Sequence, residues 1–292
     1  MMTTANAVKP RITLFTPGNR REMIEKSNRY EADAIIVDLE DAVPIQLKAQ
    51  ARDDLAVIVP TLKTPPLVRV NNEPARLEAD LEAVVAAGCQ AVILPMAENV
   101  DNIRHAHRVM ARAEERHGRE PGSVSLMLQI ETALAVMRGY ELATACDRIT
   151  AIIFASAEDG DMQADLKCAW SPEGTEMLYV RSKVLADGRA ANLPLVLDGA
   201  FSDVTNEDNL RADCTLSKRL GYDGRTVIHP KHLAIAREIY LPPPAQIAYY
   251  ERLVATFEKA EKDGLAAVTF EGKMIDYAMY KKAQILLADH AA

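Results

Sequence analysis

Eight short apolar runs, each followed by a stretch of helical pattern, limit what this 292-residue chain can become. The runs read as strands at 11–16, 34–37, 67–70, 91–94, 124–130, 149–154, 194–197 and 225–228. Ala34-Ile35-Ile36-Val37 is apolar throughout, as a strand covered on both faces must be. Between the strands, helices are expected at 19–30 with Asn19 as N-cap, and at 47–59, 77–87, 99–117, 132–145, 173–191 and 206–220. Pro65-Pro66 precedes the third strand, Gly88 and Gly221 close two helices, and 155–172 reads as a long polar loop. Eight strands each followed by a helix favour a closed parallel (β/α)8 TIM barrel over an open sheet. No GxGxxG or GxxxxGK[ST] follows any strand, so the usual dinucleotide and P-loop readings fall away.

The polar residues collect where the apolar runs stop. Phe15-Thr16-Pro17-Gly18-Asn19-Arg20, Asp38-Leu39-Glu40-Asp41-Ala42-Val43, Arg69-Val70-Asn71, Gln129-Ile130-Glu131-Thr132 and Ala157-Glu158-Asp159 come in that order. Carboxylates and arginines at the C-terminal ends of successive strands are the sequence image of a barrel active site. Composition narrows the rest. At 49% hydrophobic and 5% aromatic, the chain can bury one large aliphatic core. A net charge of −8 argues against nucleic acid or an anionic membrane as partner, while a small anion held by local arginines stays open. No apolar run reaches the roughly 18 residues of a membrane span. Residues 1–10 lack the apolar centre of a secretory leader, so a cytoplasmic location is expected. Cys89, Cys146, Cys168 and Cys214, with no CxxC pairing, read as reduced core thiols.

Glu131 and Asp159 end neighbouring strands, and two such carboxylates can share a cation, Mg2+ above all. Glu158 is the competing ligand, and helix capping by Glu131 is the bland alternative. Arg69, alternating with Val68 and Val70, should face the barrel axis. There it either pairs with Asp38, Glu40 or Asp41 or holds a substrate carboxylate or oxyanion. The three acids cannot all be buried and ionised, so some must meet Arg69, Lys48 or metal-bound water. Glu40 is the member placed with Arg69 among the catalytic candidates. Arg20 and Lys26 form either a solvated basic face or a grip for phosphates. His229, at a strand end, reads as a structural hydrogen-bonder.

Leu241-Pro242-Pro243-Pro244 is a stiff linker that divides the chain into 1–240, the barrel, and 241–292, a small helical lid. The lid reads as helix 245–263, a short strand 267–270 and helix 277–288, too small to hold a core alone. Asp276, before the last helix, is explained well enough as an N-cap.

Taken together, the ordered motifs LFTPGNR, DLEDAVP followed by Lys48, VRVN, QIET, AED, LDGAFSD, GYDGRTVIHP and GKMID resemble the citrate lyase β-subunits. They are equally similar to the malyl-CoA and citramalyl-CoA lyases, within the HpcH/HpaI aldolase group. The resemblance runs nearly end to end. It implies Mg2+ held at Glu131 and Asp159, with Arg69 steadying a thioester or its enolate. It implies CoA contacts from Phe15, Arg20 and Lys26. It also implies an acid/base at Asp276, supplied by the adjacent subunit of a homotrimer or hexamer. Two departures stand out: Pro95-Met96 replaces a Pro-Lys pair, and Gly160-Asp161-Met162-Gln163 lengthens the loop after Asp159. The expected function is a Mg2+-dependent carbon–carbon lyase on citramalyl-CoA or malyl-CoA. The alternatives are a citryl-acyl-carrier-protein lyase subunit, an aldolase on free hydroxy-oxoacids, or a catalytically dead scaffold.

Overall fold

The computed structural model of the chain describes residues 9–64 and 66–291. Pro65 of the expected Pro65-Pro66 pair, and nearly all of the segment read for a leader, lie outside the described residues. Strands β1 (Ile12–Pro17), β2 (Ala34–Asp38), β3 (Leu67–Arg69), β4 (Ala91–Leu94), β5 (Ser125–Ile130), β6 (Ile149–Phe154), β7 (Leu195–Asp198) and β8 (Gly224–Val227) close in sequential order into a parallel barrel. The fold is therefore the (β/α)8 barrel that the alternating runs predicted. Among the described residues, no helix is long and apolar enough to cross a membrane.

Strand parity builds two cores from one sequence pattern. Ala34 and Ile36, Ala91 and Ile93, and Leu195 and Leu197 fill the barrel interior. Their neighbours Ile35, Val37, Val92, Leu94 and Val196 face outward into the layer between strands and helices. Two residues past the last interior position of each strand, the same parity still points inward. Asp38 follows Ile36, Arg69 follows Leu67, Gln129 follows Met127 and Gly199 follows Leu197. The pairing registers set Asp38 beside Arg69 and Arg69 beside Ile93. The rim of the interior is thus written by counting in twos from the core.

Several helices differ from their sequence patterns. Residues 47–59 are not one helix but Ile45–Leu47, Lys48–Asp53, Leu55–Ile58 and Val59–Thr61 in succession, partly 3-10. The helix after β5 breaks at Arg138 into Ala133–Met137 and Gly139–Ala143. Asn19 does not cap the first helix, Arg21–Ser27. The turn made by Gly18 N–H on Asp38 O (2.8 Å) and Arg20 N–H on Pro17 O (3.0 Å) moves the N-cap to Arg20. A further helix, Asp161–Leu166, lies in the loop read as irregular.

Residues Pro10–Tyr240 and Leu241–Ala292 are separate compact units. The second contains the helices Pro244–Lys262 and Tyr277–Ala291 and an antiparallel hairpin of β9 (Ala267–Phe270) and β10 (Lys273–Asp276). It buries Leu253, Phe257, Phe270, Ile275, Tyr280 and Ala283, with Phe257 and Tyr280 stacked at 4.7 Å. The tail therefore has a small core, built on a second strand that the sequence pattern did not reveal.

At the N-terminal end of the barrel, Glu114 ties the end of helix Val100–Arg116 to β5. Its carboxylate accepts a fork from Arg148 (2.6 and 2.8 Å) and the N–H groups of Gly122 (2.9 Å) and Val124 (3.0 Å). Burial works to raise its pKa, but the Arg148 fork and these N–H groups prevail and hold it at about 2. Arg148→Met should therefore cost about 3–5 kcal/mol of unfolding free energy at pH 7, because Glu114 keeps a buried, unmatched charge. Urea titration measures the loss. A depressed carboxylate stabilises the fold above its unfolded pKa, so the wild-type contribution should fade as pH drops from about 4.5 to about 2.

Candidate active site

The inward parity opens, at the C-terminal ends of the strands, into a cavity of about 430 Å³. Its acids are Asp38, Asp41, Glu131 and Asp161, and Arg69 is the one basic residue among the described residues lining it. Gly199 leaves room at the rim. A Cβ there would stand 2.5 Å from Phe154 O and 2.6 Å from Ser156 N, so a larger side chain would push the β6 and β7 ends apart.

Arg69 is almost fully engaged. Its Nε and Nη2 donate to the two oxygens of Asp38 at 2.8 and 2.6 Å, and its guanidinium lies 5.1 Å from the Phe15 ring centre. Asp38 is completed by the N–H groups of Glu40 (3.0 Å) and Ala42 (3.1 Å). Nη1 is the least tightly held, donating to Asp41 Oδ2 at 3.4 Å and lying 3.0 Å from Glu40 Oε2. The pairing with the strand-two acids is what the structure shows, and Nη1 is the corner left for a ligand. Burial would depress the guanidinium pKa, but the Asp38 fork and the nearby acids keep it above its ordinary value.

Glu40 answers the crowding anticipated from its sequence. Burial lifts its carboxyl to about 8 against the pull of Arg69, and Asp41, Glu131 and Asp38 push the same way as burial. Its Oε2 lies near Arg69 but in no aligned hydrogen bond. A neutral Glu40 at pH 7 leaves Asp38 as the main counter-charge of Arg69. Glu131 is also buried. Its Oε1 accepts from Met96 N–H (2.6 Å) and its Oε2 from Gln129 Nε2 (2.5 Å). Burial raises its pKa, Asp161 adds to the rise, and Gln129, Met96 and Arg69 oppose it. Capping does not explain Glu131, because Thr132 Oγ1 performs that role by accepting from Ala135 N–H at 3.2 Å. The Met96 that replaces the expected lysine contributes its backbone instead, at a φ of 46°.

Asp159 does not line the cavity. It stands exposed in the loop after β6 with φ 58°, its N–H donating to Gln163 Oε1 at 2.7 Å, and Glu158 is half-buried beside it. Asp161, not singled out as a site residue from the sequence, lines the cavity two residues later. Arg20 and Lys26 are both exposed on the first helix and its cap. His229 Nδ1 accepts from Lys231 N–H at 3.2 Å, a structural hydrogen bond. In the second unit, Asp276 Oδ1 accepts from Met279 N–H at 3.0 Å and so caps the last helix. Gln129 and Asp38 were in quoted motifs, and the period of two from Met127 and Ile36 was the signal that could have marked both as inward-facing.

The fold and the acid-rimmed cavity define a barrel enzyme whose polar machinery sits on strand ends. The chain belongs to the HpcH/HpaI aldolase/citrate lyase family, whose sequence profile matches residues 11–230, and is an enzyme of the lyase class. It is 33% identical over 285 residues to the citrate lyase subunit beta of Escherichia coli K12, covering 95% of this chain and 92% of that one. It is 31% identical over 273 residues to the (3S)-malyl-CoA thioesterase of Cereibacter sphaeroides, covering 91% and 89%. Among solved structures, it is similar to Mycobacterium tuberculosis CitE in complex with magnesium, acetoacetate and coenzyme A. That match has a TM-score of 0.71 and 26% identity, over 97% of this chain and 98% of that chain.

Because Glu40 holds its proton to higher pH when folded, stability should be full below about 4.5 and fall as pH rises toward about 8. Urea or thermal unfolding across that window should show the fall in the wild type and a flatter profile in Glu40→Gln. An unchanged slope in the variant would assign the fall to another group.

Proposed function

We propose that the chain is a Mg2+-dependent carbon–carbon lyase that cleaves a 3-hydroxyacyl-CoA of the citramalyl-CoA or malyl-CoA type. The observation that carries this reading is the charge of the cavity. Four lining acids face one guanidinium that Asp38 already occupies, so an anionic substrate needs a divalent cation to enter. Hard carboxylate oxygens suit Mg2+. Glu131, buried with its pKa raised, fits as one ligand, and Asp159, in the adjoining loop, is proposed as the other. Bound there, the cation would lower the pKa of the substrate hydroxyl and neutralise the neighbouring carboxylate.

This chain's own residues then shape the reaction. The hydroxyl would pass its proton to an ionised carboxylate of the cavity rim, the bond between the carbinol carbon and the thioester α-carbon breaks, and a 2-oxoacid leaves. The electron pair passes to the thioester as an enolate, whose oxygen Arg69 Nη1 is placed to stabilise. Glu40, carboxyl-protonated beside Nη1, would leave the exposed Asp41 as the one charge an enolate oxygen has to displace there. Phe15, Arg20 and Lys26 are proposed for the CoA portion, with the two cations toward its phosphates. Asp276, supplied by a neighbouring subunit of a homo-oligomer, would protonate the enolate carbon. Magnesium and coenzyme A in the CitE complex support the cofactor and the thioester.

A second reading has its own support in the citrate lyase β-subunits, which run along nearly the whole chain. In it the same bond is cleaved on an acyl-carrier-protein thioester, and dependence on a carrier protein separates the two.

Incubation with citramalyl-, malyl- and citryl-CoA plus Mg2+ should release a 2-oxoacid from at least one, and EDTA should stop it. Glu131→Ala and Asp159→Ala should each abolish turnover while leaving the unfolding transition in place. No release from any of the three thioesters would overturn the lyase reading, and an active, EDTA-sensitive Asp159→Ala would remove that residue as a ligand.

Asp276→Ala should lower turnover by about 10²–10⁴-fold, the span of a positioned acid/base, with 2-oxoacid binding kept. Mixed with Asp159→Ala after subunit exchange, it should regain part of the activity. No recovery would exclude a trans role.

A further inference from the structure

We propose that Asp161 determines the substrate class, by excluding a second carboxylate on the carbinol carbon in favour of hydrogen or a small alkyl group. The inference rests on the lyase reading and goes further, to the part of the substrate that leaves as the 2-oxoacid.

The loop that carries Asp161 is a built structure. Met162 is fully buried in the main core. Gln163 bridges the loop, with Oε1 on Asp159 N–H (2.7 Å) and Nε2 on Cys168 O (3.1 Å). Asp165 Oδ2 accepts from Ala133 N–H at 2.6 Å and fastens the loop to the helix after β5. Asp161 itself has no hydrogen bond or ion pair among the described residues, yet it lines the cavity, and its charge reaches Glu131. Gly160 stands at the start of the helix that carries Asp161. A Cβ on Gly160 would lie 3.0 Å from Ala157 O, which keeps that turn tight.

Charge counting gives the consequence. Asp38 cancels Arg69, leaving Asp41, Glu131 and Asp161 in the lining, with Asp159 a fourth acid in the adjoining loop, so that more than one negative charge remains after a divalent cation is bound. One divalent cation offsets two of these charges, those of its proposed ligands Glu131 and Asp159, and would take the substrate's first carboxylate, which leaves Asp41 and Asp161 uncompensated. A second carboxylate would then meet a negative wall with no unengaged cation among the described lining residues. Lys48, a basic candidate from the sequence, does not line the cavity and is held on Asn71 Oδ1 at 2.5 Å. The lining also includes the apolar Ile153, Ala155, Ala157, Ala200 and Ile228, which suit a methyl group or hydrogen, while its neutral polar members Thr16, Gln129 and Thr226 carry no positive charge. Two like charges sharing a partly desolvated cleft discriminate by about tenfold or more.

The test is binding of pyruvate and of freshly prepared oxaloacetate to the full-length protein with saturating Mg2+, by calorimetry, for wild type and Asp161→Asn. Wild type should bind pyruvate about tenfold or more tighter, and Asp161→Asn should narrow that ratio about fivefold or more, through tighter oxaloacetate. Mg2+ affinity measured separately should fall by no more than about tenfold, the loss of one nearby charge, so that the metal still saturates the variant. An unchanged ratio, a wild type that prefers oxaloacetate or binds neither oxoacid, or a variant that loses Mg2+ would each overturn the assignment. Discrimination without cleavage of any thioester would sink the lyase reading alone. Cleavage without discrimination would sink only the role of Asp161.

Discussion

The bidentate pairing of Arg69 with Asp38 is the interaction on which the cavity depends. It occupies two of the three donor positions of the one lining guanidinium and fixes its plane beside Phe15. It also aims Nη1 at Glu40 and Asp41. With that positive charge spoken for, the neighbouring carboxyls must protonate or find a cation. Glu40 takes the first course and carries its proton to about 8. The remaining acids are the ground for the proposed divalent ion. The proposed metal site and substrate choice thus rest, like the protonation of Glu40, on one ion pair on adjacent strands.

Backbone geometry at the rim carries related tension. Met96 and Asp159 both hold a left-handed φ without being glycine. Met96, two residues past β4, gives its N–H to Glu131, whereas Asp159, five residues past β6, gives its N–H to Gln163 within its own loop. Behind the β7–β8 edge, Arg225 donates from Nε to Gly199 O at 2.6 Å while sharing Asp213 with Arg181. The main chain that borders the cavity is therefore anchored by a buried, charge-balanced network. Asp198, fully buried, completes it 3.5 Å from Arg181 Nε.

What the sequence reveals of this protein is what has a period. Strands of a parallel barrel are apolar on both faces, so all eight stand out, and the residues just past them inherit an orientation. Arg69 and Glu131 were legible for that reason. Asp161 was not, because its helix is six residues long, has a single fully buried anchor in Met162, and follows an aperiodic turn. The β10 strand was hidden by its exposure: of Lys273–Asp276 only Ile275 is buried. Asn19 looked like a cap by residue type, but the hydrogen bond of Gly18 to Asp38 fixes the turn first. In each miss, tertiary contact overrode a local signal. The fork between Arg69 and Asp38 is the intermediate case, since the sequence offered both a structural pairing and a substrate contact, and only the register of β2 against β3 distinguishes them.

The central claim is that this cavity admits a 2-oxoacid only when a divalent cation compensates its acids. Titration calorimetry of pyruvate into metal-free and Mg2+-loaded protein tests it most directly. The account predicts no measurable binding without the metal, clear binding with it, and a Mg2+ affinity that rises by the same factor when pyruvate is present, as linkage requires. Equal pyruvate affinity in both samples would contradict it.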